Sequence, residues 1–217
     1  MNYTSDLKII KKELKLISYH SYISTFFTNY KYREKILLII FINIELLKII
    51  RSNLDKSIII AKLNWWKITC SEAIDGKNFG VPSLRLLSKY FKKNNYIKEE
   101  LSKLINCLVL YSHEKSFNKK IKFYSKYLLI KNNIVFHIIQ SKTNDHKIKK
   151  SLNLLVISKS LSEHNSIKLS NRFYNKAKIT CKRPKKFLLI LFLLNTNKYF
   201  TKVNLYKKLF IFFTRDW

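Results

Sequence analysis

The chain has 217 residues, of which 47% are hydrophobic and 26% are charged. This length supports one domain with a hydrophobic core and is short for two. Only two glycines and two prolines occur, so β-sandwiches and β-barrels, which need many Gly- and Pro-rich turns, are disfavoured, and phosphate-binding loops with spaced glycines are excluded. With aromatic residues at 14%, disordered and collagen-like classes are excluded too.

The charge is strongly positive, with 43 Lys and Arg against 13 Asp and Glu and a formal net charge of +30. This value is typical of nucleic-acid-binding proteins. However, Lys, Asn, Ile, Tyr and Phe are all encoded by A+T-rich codons, and Arg, which leads specific phosphate and base contacts, is scarce. We therefore favour codon bias over a specific nucleic-acid partner and expect weak binding to RNA or anionic lipid.

Hydrophobic periodicity predicts an all-α helical bundle, because apolar residues recur at spacings of three and four and most apolar runs exceed strand length. Segment 18–30 has no clear period, 140–150 is predicted to be a loop, and the polar segment 163–182 is left unassigned. The predicted helices cover residues 5–18, 32–51, 57–74, 82–91, 97–111, 119–139, 151–161 and 185–195.

Three local features refine this prediction. The helix at 32–51 is apolar nearly all round, which is typical of a helix inside a bundle. Gly76 is expected to end the third helix, and Pro82 to occupy the first turn of the fourth. The uncharged runs 36–44 and 187–197 are shorter than the ~20 residues of a membrane helix. The N-terminus is too charged for a signal peptide, so we expect a cytoplasmic protein, with a peripheral position at the inner membrane as the alternative.

Residues with catalytic or metal-binding chemistry are few and scattered. Cys70, Cys107 and Cys181 are far apart and are predicted to be reduced and mostly buried. The five histidines show no zinc-ligand spacing. Glu72 and Asp75 are the carboxylates that share a helix face, and a solvated helix end is favoured for them over a site.

The strongest local signal is the pair Trp65-Trp66. Adjacent residues of a helix point about 100° apart, so the two indoles cannot share one face. We expect one indole in the core and the other beside a neighbouring helix or cleft, and we favour packing over ligand binding.

The order of several segments resembles that of squalene/phytoene synthase-like proteins. Arg33 followed by residues 40–46 (IFINIEL) resembles the family's "R…l-f-A-f-N-x-E-L" helix. Residues 62–66 (KLNWW) resemble its "R-L-q-W-W" segment, and Gly76 and Pro82 match its "G…h-P" connection. The branch with the greatest likeness includes a mitochondrial complex I assembly factor related to phytoene synthase.

The likeness is concentrated in residues 30–110, with weaker matches at 123–140 and at Arg183-Pro184. It implies the isoprenoid-synthase fold for a single domain covering 1–217, shortened at its C-terminal end. It also implies a cavity between helices in which active members join two prenyl diphosphates head to head. Two Asp-rich motifs on opposing helices of those members bind Mg²⁺, which neutralises the leaving diphosphate.

The Asp-rich motifs are absent at the expected positions in this chain. In residues 41–51, where the first motif should lie, only Glu45 is acidic, and in residues 151–163, where the second should lie, only Glu163 is acidic. We therefore expect no cofactor, and Mg²⁺ only if the chain is an active enzyme. The residues proposed for a remnant diphosphate site are Arg33, Asn43, Glu45, Lys62 and Asn64, and those proposed for structural roles are Trp65, Trp66, Gly76 and Pro82.

The function that the resemblance implies is a non-catalytic binding or assembly role at a membrane, with a prenyl diphosphate or lipid in the helical cavity or an anionic membrane surface as partner. The first alternative is an active head-to-head prenyltransferase of isoprenoid biosynthesis. The second is a basic helical nucleic-acid-binding protein. For Arg33, bidentate diphosphate binding and a helix-end ion pair are equally compatible with the sequence.

Overall fold

The computed structural model describes residues 3–139, 146–164 and 166–180. In these ranges it contains nine α-helices, one 3-10 helix at Thr25–Phe27 and no strand, so the prediction of an all-α protein is confirmed. The α-helices are α1 (Tyr3–Ile17), α2 (Tyr19–Ser24), α3 (Tyr30–Ile50), α4 (Lys56–Asp75), α5 (Pro82–Phe91), α6 (Asn95–His113), α7 (Phe117–Ile138), α8 (His146–Glu163) and α9 (Ile167–Thr180).

Helix α3 runs through the middle of the core. Every residue from Ile36 to Ile42 is buried, so the helix is enclosed on all sides, as predicted from its apolar composition. Its neighbours are α1, α4, α5, α6 and α7. One cluster of buried side chains extends from Leu7 on α1 to Ala177 on α9. The thiols of Cys70 and Cys107 belong to this cluster.

The connection between α4 and α5 has the predicted end and start signals. Gly76 has a φ angle of 106°, in the left-handed region that favours glycine, and the N–H of Lys77 donates to the carbonyl of Glu72 at 2.9 Å. Pro82 occupies the first turn of α5, where its missing N–H breaks no helical hydrogen bond. These two residues therefore fix the bounds of α4 and α5.

A buried ion pair holds α1 against α5. The side chain of Asp6 is 3% exposed and is bonded by two nitrogens of Arg85, with Nε of Arg85 at 2.8 Å from Oδ2. A third nitrogen of the same guanidinium donates to the carbonyl of Gly80. The hydrogen bond from Arg85 lowers the pKa of Asp6 below its usual range. Asp6 and Arg85 thus join α1, α5 and the connection before α5.

Helix α9 occupies a segment to which the sequence analysis assigned no structure. Its contact with α8 includes hydrogen bonds made by serines. The hydroxyl of Ser158 donates to the carbonyl of Ser170 at 2.9 Å, and the hydroxyl of Ser170 donates to the carbonyl of Ser158 at 2.8 Å. A similar bond joins Ser151 to the carbonyl of Ala177. Small polar residues give little hydrophobic periodicity, which explains why this helix was missed.

Two further predictions differ from the structure. Segment 18–30, without a clear period, contains α2 and the 3-10 helix, whose carbonyls accept hydrogen bonds from the hydroxyls of Thr25 and Thr28. The predicted loop at 140–150 is wrong for its second half, since α8 begins at His146.

Some predictions concern residues outside the described ranges: residues 140–145, the predicted helix at 185–195, the Arg183-Pro184 match and Cys181. No helix in the described ranges has the length and apolar character needed to cross a bilayer.

We expect the substitution Asp6→Asn to lower the free energy of unfolding at neutral pH, because it leaves the guanidinium of Arg85 without its carboxylate. Since the pKa of Asp6 is lowered in the folded state, the stabilisation is present above the unfolded pKa of about 3.9 and is lost as the pH falls through the lower folded pKa. Urea denaturation between neutral and acidic pH should therefore show a smaller acid-induced loss of stability for Asp6→Asn than for the wild type.

The matched control for this experiment is Glu13→Gln, which removes another carboxylate from α1. Glu13 is half-buried and is not part of the pair between Asp6 and Arg85, so its substitution should leave the pH profile of the wild type unchanged. Parallel profiles for the wild type and Asp6→Asn would contradict the assigned role of Asp6.

Candidate functional site

The structure does not bring the five residues of the predicted remnant site together. Asn43 and Glu45 lie on opposite sides of α3, about 200° apart, because successive helical residues turn by about 100°. The carboxamide oxygen of Asn43 accepts a hydrogen bond from the hydroxyl of the buried Tyr127. The carboxylate of Glu45 is 2.6 Å from Nζ of Lys48. Asn43 therefore joins α3 to α7, whereas Glu45 belongs to an ion pair on another side of the helix.

Arg33 lies near the start of α3, about 15 Å along the helix axis from Asn43. Its guanidinium carbon is 4.7 Å from the centre of the Phe26 ring. In the described part of the chain the contact is thus with an aromatic ring rather than with an acid, and it is a cation–π contact. The position of Arg33 near the start of α3 therefore separates it from Asn43 and Glu45, the other predicted site residues on this helix.

Lys62 and Asn64 are both exposed on α4 and lie about 200° apart around it. The indole of Trp66 is buried at 8% exposure, and that of Trp65 is 47% exposed. The two ring centres are 5.6 Å apart with an angle of 84° between the planes. One indole is thus in the core and the other at the surface, as expected from adjacent positions on a helix.

A cleft of about 330 Å³ lies where α3, α6 and α8 end and where α4 and α7 begin. This volume is at the lower end of the range of about 300–1,000 Å³ for small-molecule sites. One side of the cleft is apolar and is formed by Leu47, Ile50 and Ile59. The other lining residues are polar or aromatic: Arg51, Lys56, Tyr111, Ser112, Lys120, Tyr124, Glu163 and His164.

Three cations and one carboxylate line this cleft. Arg51 donates to Glu163 at 2.8 Å, and the side chain of Arg51 is 55% exposed while that of Glu163 is 18% exposed. The ammonium of Lys56 donates to the carbonyl of His113, the last residue of α6, at 2.8 Å. The ammonium of Lys120 is 5.7 Å from the centre of the Tyr111 ring. The cleft therefore carries more positive than negative charge.

His164 is held in one orientation at the aromatic side of the cleft. Its Nδ1 is 2.7 Å from the carbonyl oxygen of Ser160, which can only accept, so Nδ1 carries the proton. In the neutral imidazole Nε2 is then an acceptor, and it lies 3.2 Å from the hydroxyl of Tyr111. The rings of Phe117 and Tyr124 flank the imidazole at 6.0 and 5.7 Å. These contacts make His164 a rigid part of the wall.

Two lysines, one on α7 and one on α8, interact electrostatically with each other, and the one on α8 also interacts with charged residues of the cleft. Burial lowers the pKa of Lys131 well below its ordinary value, and the charge of Lys159 lowers it further. Burial also lowers the pKa of Lys159, while the carboxylate of Glu163 raises it and the guanidinium of Arg51 lowers it. The charged residues Arg51 and Glu163 of the cleft therefore also affect the pKa of a lysine farther back on α8.

The acidic residues that the resemblance assigns to magnesium binding do not fit a Mg²⁺ cluster. Glu45 is paired with Lys48 and Glu163 with Arg51, so each carboxylate is already neutralised by a neighbouring cation. Among residues 3–139, 146–164 and 166–180, no three His, Cys, Asp or Glu side chains lie close enough to hold a metal ion. Mg²⁺ requires oxygen ligands, whereas this cleft mainly presents N–H donors.

Most of the cleft was not identified from the sequence. Glu163 was noted as the lone acid of the second motif, but the residues that surround it were not nominated. The available signal was the pair Arg51 and Lys56, which lie at the end of the predicted helix 32–51 and directly before the predicted helix 57–74. In a chain with 43 Lys and Arg, two cations beside a helix end do not stand out.

Comparison of the chain with protein-family models, curated proteins and solved structures found no match. The likeness to squalene/phytoene synthase-like proteins accordingly stays a prediction from the sequence.

The two tryptophans provide a direct test of the packing around α4. We expect Trp66→Ala to lower the free energy of unfolding by about 3–5 kcal/mol, because it removes a buried aromatic side chain and leaves a cavity. Trp65→Ala should cost much less, since nearly half of that side chain is in water. Urea denaturation followed by circular dichroism measures both values. Equal losses for the two variants would show that the assigned burial is wrong.

Proposed function

We propose that the protein is a non-catalytic squalene/phytoene synthase-like protein with an isoprenoid-synthase-like bundle. Its cleft binds the phosphate or diphosphate group of an isoprenoid or another lipid without a metal ion, and the protein acts as a lipid-binding or assembly factor at a membrane surface. The observation that supports this function is the group of three cations, Arg51, Lys56 and Lys120, around a single carboxylate that is already paired.

The donors of the cleft suit a phosphate group. A guanidinium has five N–H donors and an ammonium has three, so the bonds to Glu163 and to the carbonyl of His113 do not exhaust Arg51 and Lys56. Hydrogen bonds between charged partners are about twice as strong as neutral ones. The apolar side formed by Leu47, Ile50 and Ile59 can take the first carbons of an attached hydrocarbon chain.

The size of the cleft and its carboxylates favour binding over catalysis. Head-to-head condensation requires two prenyl diphosphates side by side, and a cleft of about 330 Å³ is small even for one small molecule. The departing diphosphate also has to be neutralised by metal ions in active members of the family. Glu45 and Glu163 are engaged with cations and lie on faces that do not converge on one metal cluster.

The distribution of lysines argues against the nucleic-acid alternative. Exposed lysines lie on α1 and on each helix from α3 to α9, so they are not concentrated on one element. Nucleic-acid-binding domains usually concentrate their cations in a patch or stripe. A spread over nearly all helices is what A+T-rich codon usage would produce.

The cleft can be tested with inorganic pyrophosphate in the presence of EDTA, with affinity measured by isothermal titration calorimetry. We expect the triple variant Arg51→Gln, Lys56→Gln, Lys120→Gln to bind at least about tenfold more weakly than the wild type, since charge-assisted hydrogen bonds contribute about 1.5–3 kcal/mol each. Farnesyl diphosphate should bind more tightly than pyrophosphate if the apolar side of the cleft takes its chain.

Two further variants control this measurement. Lys8→Gln, Lys12→Gln, Lys15→Gln removes the same charge from α1 and should leave pyrophosphate affinity unchanged. Glu163→Gln should increase the affinity severalfold, because it removes a negative charge and frees Arg51. Loss of binding in Glu163→Gln, or equal losses in the two triple variants, would refute a cation-lined, metal-free site.

Incubation with labelled farnesyl or geranylgeranyl diphosphate and Mg²⁺ is expected to yield no head-to-head product, because the described carboxylates do not form a metal-binding group. Product analysis by thin-layer chromatography or mass spectrometry measures the outcome. Turnover that Glu45→Ala abolishes would overturn the non-catalytic function and support the active prenyltransferase.

A further inference from the structure

The outward side of α1 combines positive charge with exposed apolar side chains. We call this surface the α1 outer face and define it by Lys8, Ile9, Lys12, Lys15 and Leu16. The side chains of Ile9 and Leu16 are 43% and 78% exposed. They are seven residues apart and therefore lie on the same side of the helix. The three lysines are all exposed and follow one flank of this apolar line.

Exposed aromatic residues continue the surface beyond the end of α1. Tyr19, in the helix that follows, is 52% exposed. Nζ of Lys15 is 5.0 Å from the ring centre of Tyr22, and the Tyr22 ring packs edge-on against Phe26 at 5.2 Å. Phe26 is itself 47% exposed. The aromatic group is thus in contact with the C-terminal end of the α1 outer face.

The orientation of α1 does not depend on these exposed residues. Its inward side carries Leu7, Ile10 and Leu14, which are buried in the core. The ion pair between Asp6 and Arg85 fixes the same side of the helix to α5. Ile9 and Leu16 contribute little to this packing, and leaving apolar side chains in water has no benefit for the isolated fold.

We propose that the α1 outer face docks on an anionic lipid bilayer, with α1 lying parallel to the membrane plane. The lysines contact the lipid head groups, and Ile9 and Leu16 enter the boundary between head groups and acyl chains. Each lysine near an anionic surface contributes favourable binding energy, and basic amphipathic helices bind membranes in this geometry. Tyr19 is a residue type that favours the membrane–water interface, and phenylalanine, as at Phe26, is typical of apolar faces that insert there.

The acids of α1 do not oppose such a partner. Asp6 is buried and neutralised by Arg85, and Glu13 is half-buried. Lysines in general attract anions, and on α1 they also accompany an exposed aliphatic line. That line would gain nothing from a phosphate backbone alone, so a lipid surface suits it better than RNA. The proposal concerns a surface separate from the cleft, and it rests on the proposed function only in its location at a membrane, for which it names the docking face.

Co-sedimentation with vesicles tests the proposal. One set of vesicles contains equal parts of phosphatidylcholine and phosphatidylglycerol, and the other contains phosphatidylcholine alone. We expect the wild type to bind the anionic vesicles and to bind the neutral ones much more weakly. Lys8→Gln, Lys12→Gln, Lys15→Gln should lower the affinity for anionic vesicles at least about tenfold. Ile9→Ser, Leu16→Ser should also lower it clearly, because the apolar line can no longer insert.

The matched control is Lys122→Gln, Lys126→Gln, Lys176→Gln, which removes the same charge from exposed positions on α7 and α9 outside the cleft and should bind the anionic vesicles like the wild type. Circular dichroism verifies that each variant is folded. Equal losses for the two triple variants would assign binding to overall charge and overturn the proposal. So would wild-type affinity in Ile9→Ser, Leu16→Ser, or binding to a homopolymeric RNA without binding to vesicles. The cleft is tested with soluble pyrophosphate and the α1 outer face with vesicles, so failure of the cleft and failure of this face give different results.

Discussion

Burial of α3 on all sides is the constraint on which the arrangement of the other helices depends. A helix that is apolar around its whole circumference loses contact with water only when several neighbours enclose it, and α1, α4, α5, α6 and α7 each present an apolar face to it. Polar residues of α3 are consequently confined to its ends and to places where a partner satisfies them. Asn43 has Tyr127 as its partner, whereas Arg51 lies where the helix leaves the core. The cleft is formed at this end of the bundle.

The long helices could be predicted from the sequence because each buries a continuous apolar stripe, and their bounds could be predicted where Gly76 and Pro82 impose a local conformation. The same reasoning failed where other interactions hold a helix. Helix α9 is held to α8 by reciprocal bonds between Ser158 and Ser170, and these residues leave no apolar period. Helix α2 is only six residues long, which is too short for a periodic pattern to be recognised.

The cleft could not be predicted in the same way, because its parts come from five helices and meet only in the folded chain. Arg51 and Glu163 are 112 residues apart, and Tyr111 and His164 are 53 residues apart. No local spacing connects such pairs, and without a recognised motif nothing in the sequence brings them together. The resemblance directed attention to Glu45, but helix geometry places that residue on another side of α3 from Asn43, with Lys48 as its partner.

Two of the three cations of the cleft also stabilise the ends of helices, and this role has to be distinguished from ligand binding. Arg51 caps the C-terminal end of α3, and Lys56 donates to the carbonyl end of α6, so both offset the partial negative charge of helix C-termini. Lys120 has no such role, since it lies near the N-terminal end of α7, where the helix dipole disfavours a cation. Its position beside the other two therefore adds positive charge that stabilisation of helix ends does not explain. An anion bound in the cleft would compensate that charge and also the cations at the two carbonyl ends.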